Sequence, residues 1–168
     1  KEKYAVWVAK RKGSGWTVTS QLDFQAMYVT DTAEGILYFT DRGPGGGCIA
    51  RAVPQPDGYS IERLPEPVLS EYWDAHPCIA PDESYLIFDS ENRPQSDECG
   101  LFITFQIGEG KWSEPVNMKS VISKGRYAML SPDGKYLFFS APGVGEGKDI
   151  YWVSIDIIES FRPAETGQ

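Results

Sequence analysis

The sequence predicts an all-β fold built from repeated four-stranded antiparallel units. The first observation is a motif that recurs at nearly constant spacing, since its closing phenylalanines, Phe39, Phe88 and Phe139, lie 49 and 51 residues apart. The second is that each interval holds four short segments rich in β-branched and aromatic residues, bounded by Gly, Pro, Asp and Ser. A period near fifty residues with four strands in each repeat is typical of the blades of a β-propeller.

The first two strands of each unit flank a turn that contains Pro-Asp in two of the three repeats. First strands are predicted at Met27–Thr30, Pro77–Ala80 and Tyr127–Ser131. Second strands are predicted at Ile36–Thr40, Tyr85–Asp89 and Tyr136–Ser140. Their successive apolar positions indicate strands that are covered on both faces. Thr32-Ala33 replaces Pro-Asp in the first repeat, so we expect a different turn there.

The last two strands of each unit are joined by glycine-containing turns. Third strands are predicted at Cys48–Val53, Leu101–Gln106 and Ile150–Ile155, with a further copy at Tyr4–Lys10. Fourth strands are predicted at Trp16–Thr19, Tyr59–Glu62 and Trp112–Pro115. Each fourth strand begins with an aromatic residue, which we expect to pack on the neighbouring unit. A single helical turn is predicted around Ile157–Phe161.

The bulk composition limits the class of protein. The chain has 168 residues, which is the length of one domain, and its 41% hydrophobic content predicts a packed core. Its net charge of −8 does not fit a nucleic-acid partner, which requires a basic face. No apolar run approaches the roughly 18 residues of a membrane helix, and the first residues show no signal-peptide pattern.

The repeats make up one domain, residues 1–168, that does not close into a ring. The expected repeat boundaries are 1–22 for half a unit, then 23–69, 70–121 and 122–157. They supply about three blades and an N-terminal hairpin, so two apolar faces remain uncovered, and we expect the isolated chain not to be a stable monomer. Either a second copy completes the ring as a homodimer, or the chain is the C-terminal part of a longer propeller.

The repeat motif resembles the Pro-Asp, WD40-like repeat of TolB-like β-propellers. The segments that carry the resemblance are Ala80-Pro-Asp-Glu-Ser-Tyr-Leu-Ile-Phe88, Ser131-Pro-Asp-Gly-Lys-Tyr-Leu-Phe-Phe139, Gly110-Lys-Trp-Ser-Glu-Pro-Val116 and Asp149-Ile-Tyr-Trp-Val-Ser154. The resemblance implies a six-bladed ring and a location in the bacterial periplasm or outside the cell. It is less specific to function, because such propellers include scaffolding and binding proteins and the propeller domains of peptidases.

Long loops on one face of the predicted propeller are where we expect binding. They span residues 41–47, 89–100 and 140–149, and we call the face that carries them the loop face. The residues expected to bind a ligand there are Asp41, Arg42, Asp89, Glu91, Asn92, Arg93, Tyr72, Trp73, Asp74, His76, Arg126 and Tyr127. The leading interpretation is a non-catalytic module that binds a protein, a peptide or a saccharide.

Catalytic and metal motifs receive little support from the sequence. His76 is the only histidine, and it aligns with Met27 and Tyr127 at an inner-strand position. No G-x-S-x-G elbow or C-x-x-C pair is present, so no catalytic residue and no cofactor are predicted. Two alternatives stay open. Calcium could bind carboxylates of the second long loop, namely Asp89, Glu91, Asp97 and Glu98, and a hydrolase or lyase could use acids in the channel.

Overall fold

The fold consists of an N-terminal hairpin and three further antiparallel sheets, as a computed structural model of residues 4–43, 46–94 and 99–163 shows. The hairpin is formed by β1 (Ala5–Lys12) and β2 (Gly15–Gln25). Sheet 1 contains, in order, β3 (Met27–Asp31), β4 (Leu37–Asp41), β5 (Cys48–Gln55) and β6 (Gly58–Arg63). No helix of the described residues is long and apolar enough to cross a membrane.

Sheets 2 and 3 follow in chain order. Sheet 2 contains β7 (Trp73–Ile79), β8 (Tyr85–Glu91), β9 (Cys99–Gly108) and β10 (Lys111–Trp112), and β11 (Val116–Asn117) also pairs with β9. Sheet 3 contains β12 (Arg126–Leu130), β13 (Tyr136–Pro142) and β14 (Lys148–Ser154). Two short 3₁₀ helices lie at Met118–Ser120 and Ile155–Phe161. The predicted all-β fold is confirmed, and its sheets are consistent with the blades of an incomplete propeller.

The fourth strand of sheet 2 is shorter than predicted. The expected strand Trp112–Pro115 is replaced by β10 and β11, with a break between them. At the break, Ser113 Oγ accepts the backbone N–H of Phe105, and Pro115 has no N–H to donate. The Ser113 hydroxyl group therefore takes the place of a backbone carbonyl as the hydrogen-bond acceptor of Phe105.

The turn between the first two strands is different in sheet 1, as expected. In sheets 2 and 3 the turn is closed by the N–H groups of Ala80 and Ser131, which donate to carbonyls five residues ahead. In sheet 1, Thr32 N–H donates to the carbonyl of Ile36, four residues ahead. The turn without Pro-Asp is thus one residue shorter, which changes how the residues of β3 align with those of β7 and β12.

Apolar side chains fill the spaces between neighbouring sheets. Tyr38, Phe88 and Trp112 belong to the cluster between sheets 1 and 2. A second cluster, which includes Ile87 and Phe139, lies between sheets 2 and 3, and the C-terminal 3₁₀ helix adds its side chains. Phe24 of the hairpin stacks on Phe39 and meets Tyr59 edge-on, so the hairpin packs on the free side of sheet 1.

The aromatic residues that begin the fourth strands do not all pack alike. Trp112 is buried between sheets, and Tyr59 contacts the hairpin, as the sequence predicts. Trp16, in contrast, is 72% exposed. Its exposure has a simple reason, because no described sheet lies on the outer side of the hairpin.

Candidate functional site

The inner strands of the three sheets share one backbone irregularity. Each first strand has a β-bulge beside its second strand, between Met27 and Thr30, between Ala75 and Cys78, and between Arg126 and Met129. Within the bulges, Tyr28, His76 and Tyr127 have positive φ angles of 55°, 52° and 55°. Bulky residues rarely adopt this left-handed conformation, and it costs about 1–3 kcal/mol at each position. Because the same backbone conformation recurs in three sheets, it is a regular feature of the fold.

The bulges bring three aromatic rings together near the ends of the second strands, next to the loop face. The ring of His76 lies 5.2 Å from Tyr28 and 4.3 Å from Tyr127, centroid to centroid. The two tyrosine rings are 6.2 Å apart, and Tyr28 Oη donates a 2.9 Å hydrogen bond to the carbonyl of Ala128. These three residues, together with Asp89, are called the inner-strand cluster below.

Asp89 holds the cluster together. Its two carboxylate oxygens lie 2.9 and 3.0 Å from His76 Nδ1, and Oδ1 also accepts the backbone N–H of Tyr127 at 3.2 Å. Because an ionised carboxylate can only accept, Nδ1 carries the proton of the imidazole. The backbone N–H of His76 donates to Thr40 Oγ1 at 2.8 Å. Asp89 is almost fully buried, so these contacts fix the orientation of the His76 ring next to the end of β8.

Burial shapes the electrostatics of the cluster. The pKa of Tyr28 is raised well above its usual value, mainly because the phenol is largely desolvated, with smaller contributions from Cys78, Asp89 and Tyr127. Tyr28 therefore stays a neutral hydrogen-bond donor at physiological pH. The cluster thus offers two aromatic faces and one imidazole beside a carboxylate.

Two charged contacts surround the cluster on the loop face. Arg126 Nη2 donates to Glu91 Oε1 at 2.8 Å, which joins sheet 3 to the second long loop. The Lys148 ammonium lies 5.9 Å from the centroid of the Tyr127 ring, close enough for a cation–π contact. Tyr127 itself is 39% exposed. The exposed part of the cluster is therefore an aromatic face that holds a cation of the chain itself.

A third contact, further along the loop face, also places a cationic side chain against aromatic rings. The Arg42 guanidinium lies 5.3 Å from the ring of Tyr4 and 5.5 Å from that of Trp73, and it donates to Tyr4 Oη at 2.7 Å. Trp73 also packs against the backbone of Gly47, where a Cβ atom would come within 2.8 Å of the indole ring. Glycine at this position is what allows the indole to approach.

Other predicted residues hold the scaffold together. Arg93 is buried and pairs with Asp74 at 2.9 Å, and Asp41 accepts from Arg63 at 2.9 Å. Tyr72 is half-buried, and its backbone N–H donates to Ser70 Oγ. Asn92 is exposed and has a positive φ of 62° at the start of the second long loop. The twelve predicted residues therefore divide between the inner-strand cluster, the charged contacts around it and the support of the loops.

Sequence reasoning missed Tyr28, Thr40 and Lys148. The predicted alignment of His76 with Met27 is wrong, because the short turn of sheet 1 shifts the register by one residue and Tyr28 occupies the bulge. The sequence did show that the turn of the first repeat lacks Pro-Asp. It did not show that this turn is one residue shorter, because that depends on which hydrogen bond closes the turn. Lys148 follows no repeat pattern, and only the fold brings it to Tyr127.

The arrangement suits binding better than hydrolysis. Each candidate acid of the described loops has a basic or donor partner: Asp89 pairs with His76, Glu91 with Arg126, and Asp74 with Arg93. No hydroxyl or thiol is seen hydrogen-bonded to the imidazole of His76 in the described part of the chain. The expectation of a hydrolase or lyase that uses channel acids is not favoured by this geometry.

The described residues leave the calcium expectation untested. Asp97 and Glu98 lie outside the described residues, so calcium binding by the second long loop stays a prediction. Among the described residues no group of three or more potential metal ligands is found. The three cysteines, all described, are free thiols.

Comparison with known proteins supports the fold. No protein-family model and no curated protein matches the chain. Among solved structures it is similar to TolB from Acinetobacter baumannii, with a TM-score of 0.53 and 17% sequence identity. The match covers 84% of this chain and 33% of the TolB chain, so the chain spans one third of that structure. An identity this low shows a TolB-like fold and nothing about the ligand.

Proposed function

We propose that the chain is a non-catalytic interaction module that binds a polypeptide through the inner-strand cluster and the loop face around it. The observation that carries the proposal is the convergence of Tyr28, His76 and Tyr127 through the same strained bulge in three successive sheets. A repeated strained conformation that places aromatic side chains at one site favours a binding role. Aromatic residues are also the side chains most enriched at protein interfaces.

The electrostatics favour a ligand segment that carries a lysine or arginine side chain. The chain has a net charge of −8, the carboxylate of Asp89 contacts His76 Nδ1, and the carboxylate of Glu91 accepts from Arg126, the residue before Tyr127. Tyr127 already has the ammonium of Lys148 over its ring. A ligand cation that takes the position of Lys148 would gain the same aromatic face on a chain of net negative charge.

We also propose that a further polypeptide sheet completes the ring beside sheet 3. Several large apolar side chains of this sheet are exposed on the side that faces away from sheet 2, such as Ile150 and Trp152. An uncovered apolar face of this kind marks an interaction site on a soluble protein.

The ligand proposal is tested with fluorescently labelled hexalysine and hexaglutamate peptides, measured by fluorescence anisotropy at physiological salt. We expect hexalysine to bind and hexaglutamate not to bind. Tyr127→Leu leaves the net charge unchanged and should weaken hexalysine binding about threefold to tenfold, which is the usual strength of a cation–π contact. Lys148→Ala removes the internal competitor and should strengthen it.

The matched control is Tyr136→Leu, which removes a tyrosine of similar exposure from the outer face of sheet 3. This variant should bind hexalysine like the unchanged chain. Equal affinities of the Tyr127 and Tyr136 variants would show that binding reflects only the overall negative charge, and the proposed site would then be wrong.

A further inference from the structure

We infer that a pocket between sheet 3 and the segment that leads into it binds a small molecule carrying an aromatic ring and a carboxylate. The pocket has a volume of about 340 Å³. Small-ligand pockets span roughly 300–1,000 Å³, so this one suits a single ring with a short side chain. Its walls come from residues 121–124 and from β13 and β14, and it is called the sheet 3 pocket below. None of its described lining residues belongs to the inner-strand cluster.

The floor of the sheet 3 pocket is apolar and belongs to the core. Ile122 is 3% exposed and Phe139 is 8% exposed, and both are members of the cluster between sheets 2 and 3. Ala141 lies two residues after Phe139, on the same face of β13, and is half-buried. The small alanine side chain leaves space beside the two larger ones. A ring placed in this space would be removed from water, which favours binding.

The lining segment before β12 is held in place by backbone hydrogen bonds and by the core. The N–H groups of Val121 and Ile122 both donate to the carbonyl of Met118, at 3.0 and 2.8 Å. Gly125 allows the segment to approach the core, because a Cβ atom there would lie 2.6 Å from the Ile122 side chain and 2.7 Å from that of Leu101. The pocket is therefore preformed, and a ligand does not have to order this segment when it binds.

Tyr151 gives the sheet 3 pocket an aromatic wall. Its ring stacks on that of Phe139, with the centroids 6.0 Å apart and an angle of 21° between the planes. Its phenol donates a 3.2 Å hydrogen bond to the carbonyl of Pro142, which defines the orientation of the ring. Tyr151 is 36% exposed, so part of its ring is open to a further contact. Because aromatic rings pack favourably in offset or edge-on arrangements, this wall favours an aromatic ligand over an aliphatic one.

The polar part of the lining is cationic. Lys124 and Ser123 both line the pocket and are exposed. Within the described part of the chain, Lys124 forms no ion pair and no carboxylate lines the pocket. Asp149 pairs with Ala141 across the strands, but its carboxylate lies against Gly143, where a Cβ atom would come within 2.6 Å of it. A ligand carboxylate would therefore meet an ammonium group and a hydroxyl donor.

Hydrocinnamate is the probe that matches this lining, because it joins one phenyl ring to one carboxylate through a short chain. Its neutral amide has the same shape without the charge. A ligand of this size gains little binding free energy in total, so we expect a dissociation constant in the millimolar range.

The first experiment titrates the chain with hydrocinnamate and with its amide, and follows methyl signals by NMR. The methyl groups of Val121 and Ile122 line the pocket, so a bound ring should shift their signals. We expect hydrocinnamate to bind about twofold to fivefold more tightly than the amide, the usual effect of an exposed ion pair. The methyl signals of Val18 on the hairpin should not shift. Absence of shifts at Val121 and Ile122, or equal affinities for the acid and the amide, would overturn the inference.

The second experiment removes the charge from the pocket. Lys124→Gln should reduce the affinity for hydrocinnamate to that for the amide, and it should leave the affinity for the amide unchanged. Lys119→Gln is the matched control, because Lys119 is also exposed and its replacement changes the net charge equally, but it does not line the pocket. This control should bind both compounds like the unchanged chain. Equal losses in the two variants would show that the acid responds only to overall charge, and the role of Lys124 would then be wrong.

The third experiment fills the pocket. Ala141→Leu extends an apolar side chain into the space beside Phe139, so both compounds should lose binding. Retained binding, with the variant folded by circular dichroism, would place the ligand elsewhere and contradict the inference. The Lys124 test does not depend on this variant, because Lys124 is exposed and its replacement requires no repacking. Hexalysine binding is a separate question, since none of these positions belongs to the inner-strand cluster.

Discussion

Arg93 and Asp74 form an ion pair that is almost closed to solvent. Arg93 Nη2 lies 2.9 Å from Asp74 Oδ2, and it also donates to the carbonyl of Val68 at 3.0 Å. The guanidinium packs 5.4 Å from the ring of Phe88 and 5.7 Å from that of Phe102. The pair therefore ties the segment that crosses from sheet 1 to sheet 2 onto the core of sheet 2.

Loss of this pair should strongly destabilise the fold. Arg93→Ala leaves the Asp74 carboxylate buried without its cation, so we expect the free energy of unfolding to fall by about 3–5 kcal/mol. Arg93→Lys keeps the charge but loses the planar fork, and its effect should be smaller. Urea unfolding followed by tryptophan fluorescence measures both. The control is Arg11→Ala on the exposed hairpin, and a loss as large as that of Arg93→Ala there would contradict the assignment.

Asp89 should matter for stability as well as for the arrangement of the inner-strand cluster. Asp89→Ala removes the acceptor of both His76 Nδ1 and the Tyr127 N–H. We expect the free energy of unfolding to fall by at least about 1.5–3 kcal/mol, the range for one hydrogen bond to a charged group. The imidazole should also lose its fixed orientation, which would appear as a shift of the His76 ring signals in NMR spectra.

The exposed acid Glu114 provides the comparison for Asp89. Glu114→Ala should change stability by less than about 0.5 kcal/mol, because surface substitutions away from such networks have small effects. If Asp89→Ala were equally mild, the carboxylate would not hold the cluster together, and the proposed binding geometry would lose its support.

Much of the fold was predictable because it repeats. The closing residues Phe39, Phe88 and Phe139 mark second strands that lie within one or two residues of their predicted bounds. Tyr28 was not predictable, because its place depends on a turn that is one residue shorter in the first repeat. The contact of Lys148 with Tyr127 was not predictable either, since the two residues belong to different strands and no periodic pattern relates them.

The three cysteines should resist alkylation in the folded chain. Burial is the main cause that raises the pKa of Cys99 to about 11 and that of Cys78 to about 12, and it also raises the pKa of Cys48. Because the thiolate is the reactive form, iodoacetamide at pH 8 should modify all three far more slowly in the native chain than in urea. Peptide mass spectrometry measures the modification at each position.

The pH dependence separates the cysteines. Between pH 8 and pH 10 the thiolate fraction of Cys99 rises about tenfold for each pH unit, so its modification should accelerate by about a hundredfold. Cys78 is 2% exposed and should remain unmodified until the chain unfolds. Modification of Cys78 at the same rate as Cys99 would show that the space between sheets 2 and 3 is open to solvent.

Alkaline pH should destabilise the fold through buried phenols, and Tyr85 provides a specific test. Burial is the main cause that raises the pKa of Tyr85 to about 12, with smaller contributions from Cys78 and Asp82. The unfolded chain releases this proton near pH 10, so the contribution of Tyr85 to stability is complete below pH 10 and is lost as the pH rises towards 12. Tyr85→Phe cannot release a proton, so its urea midpoint should fall less between pH 9 and pH 11.5 than that of the unchanged chain. Parallel curves for Tyr85→Phe and the unchanged chain would show that the Tyr85 hydroxyl is not desolvated by the fold.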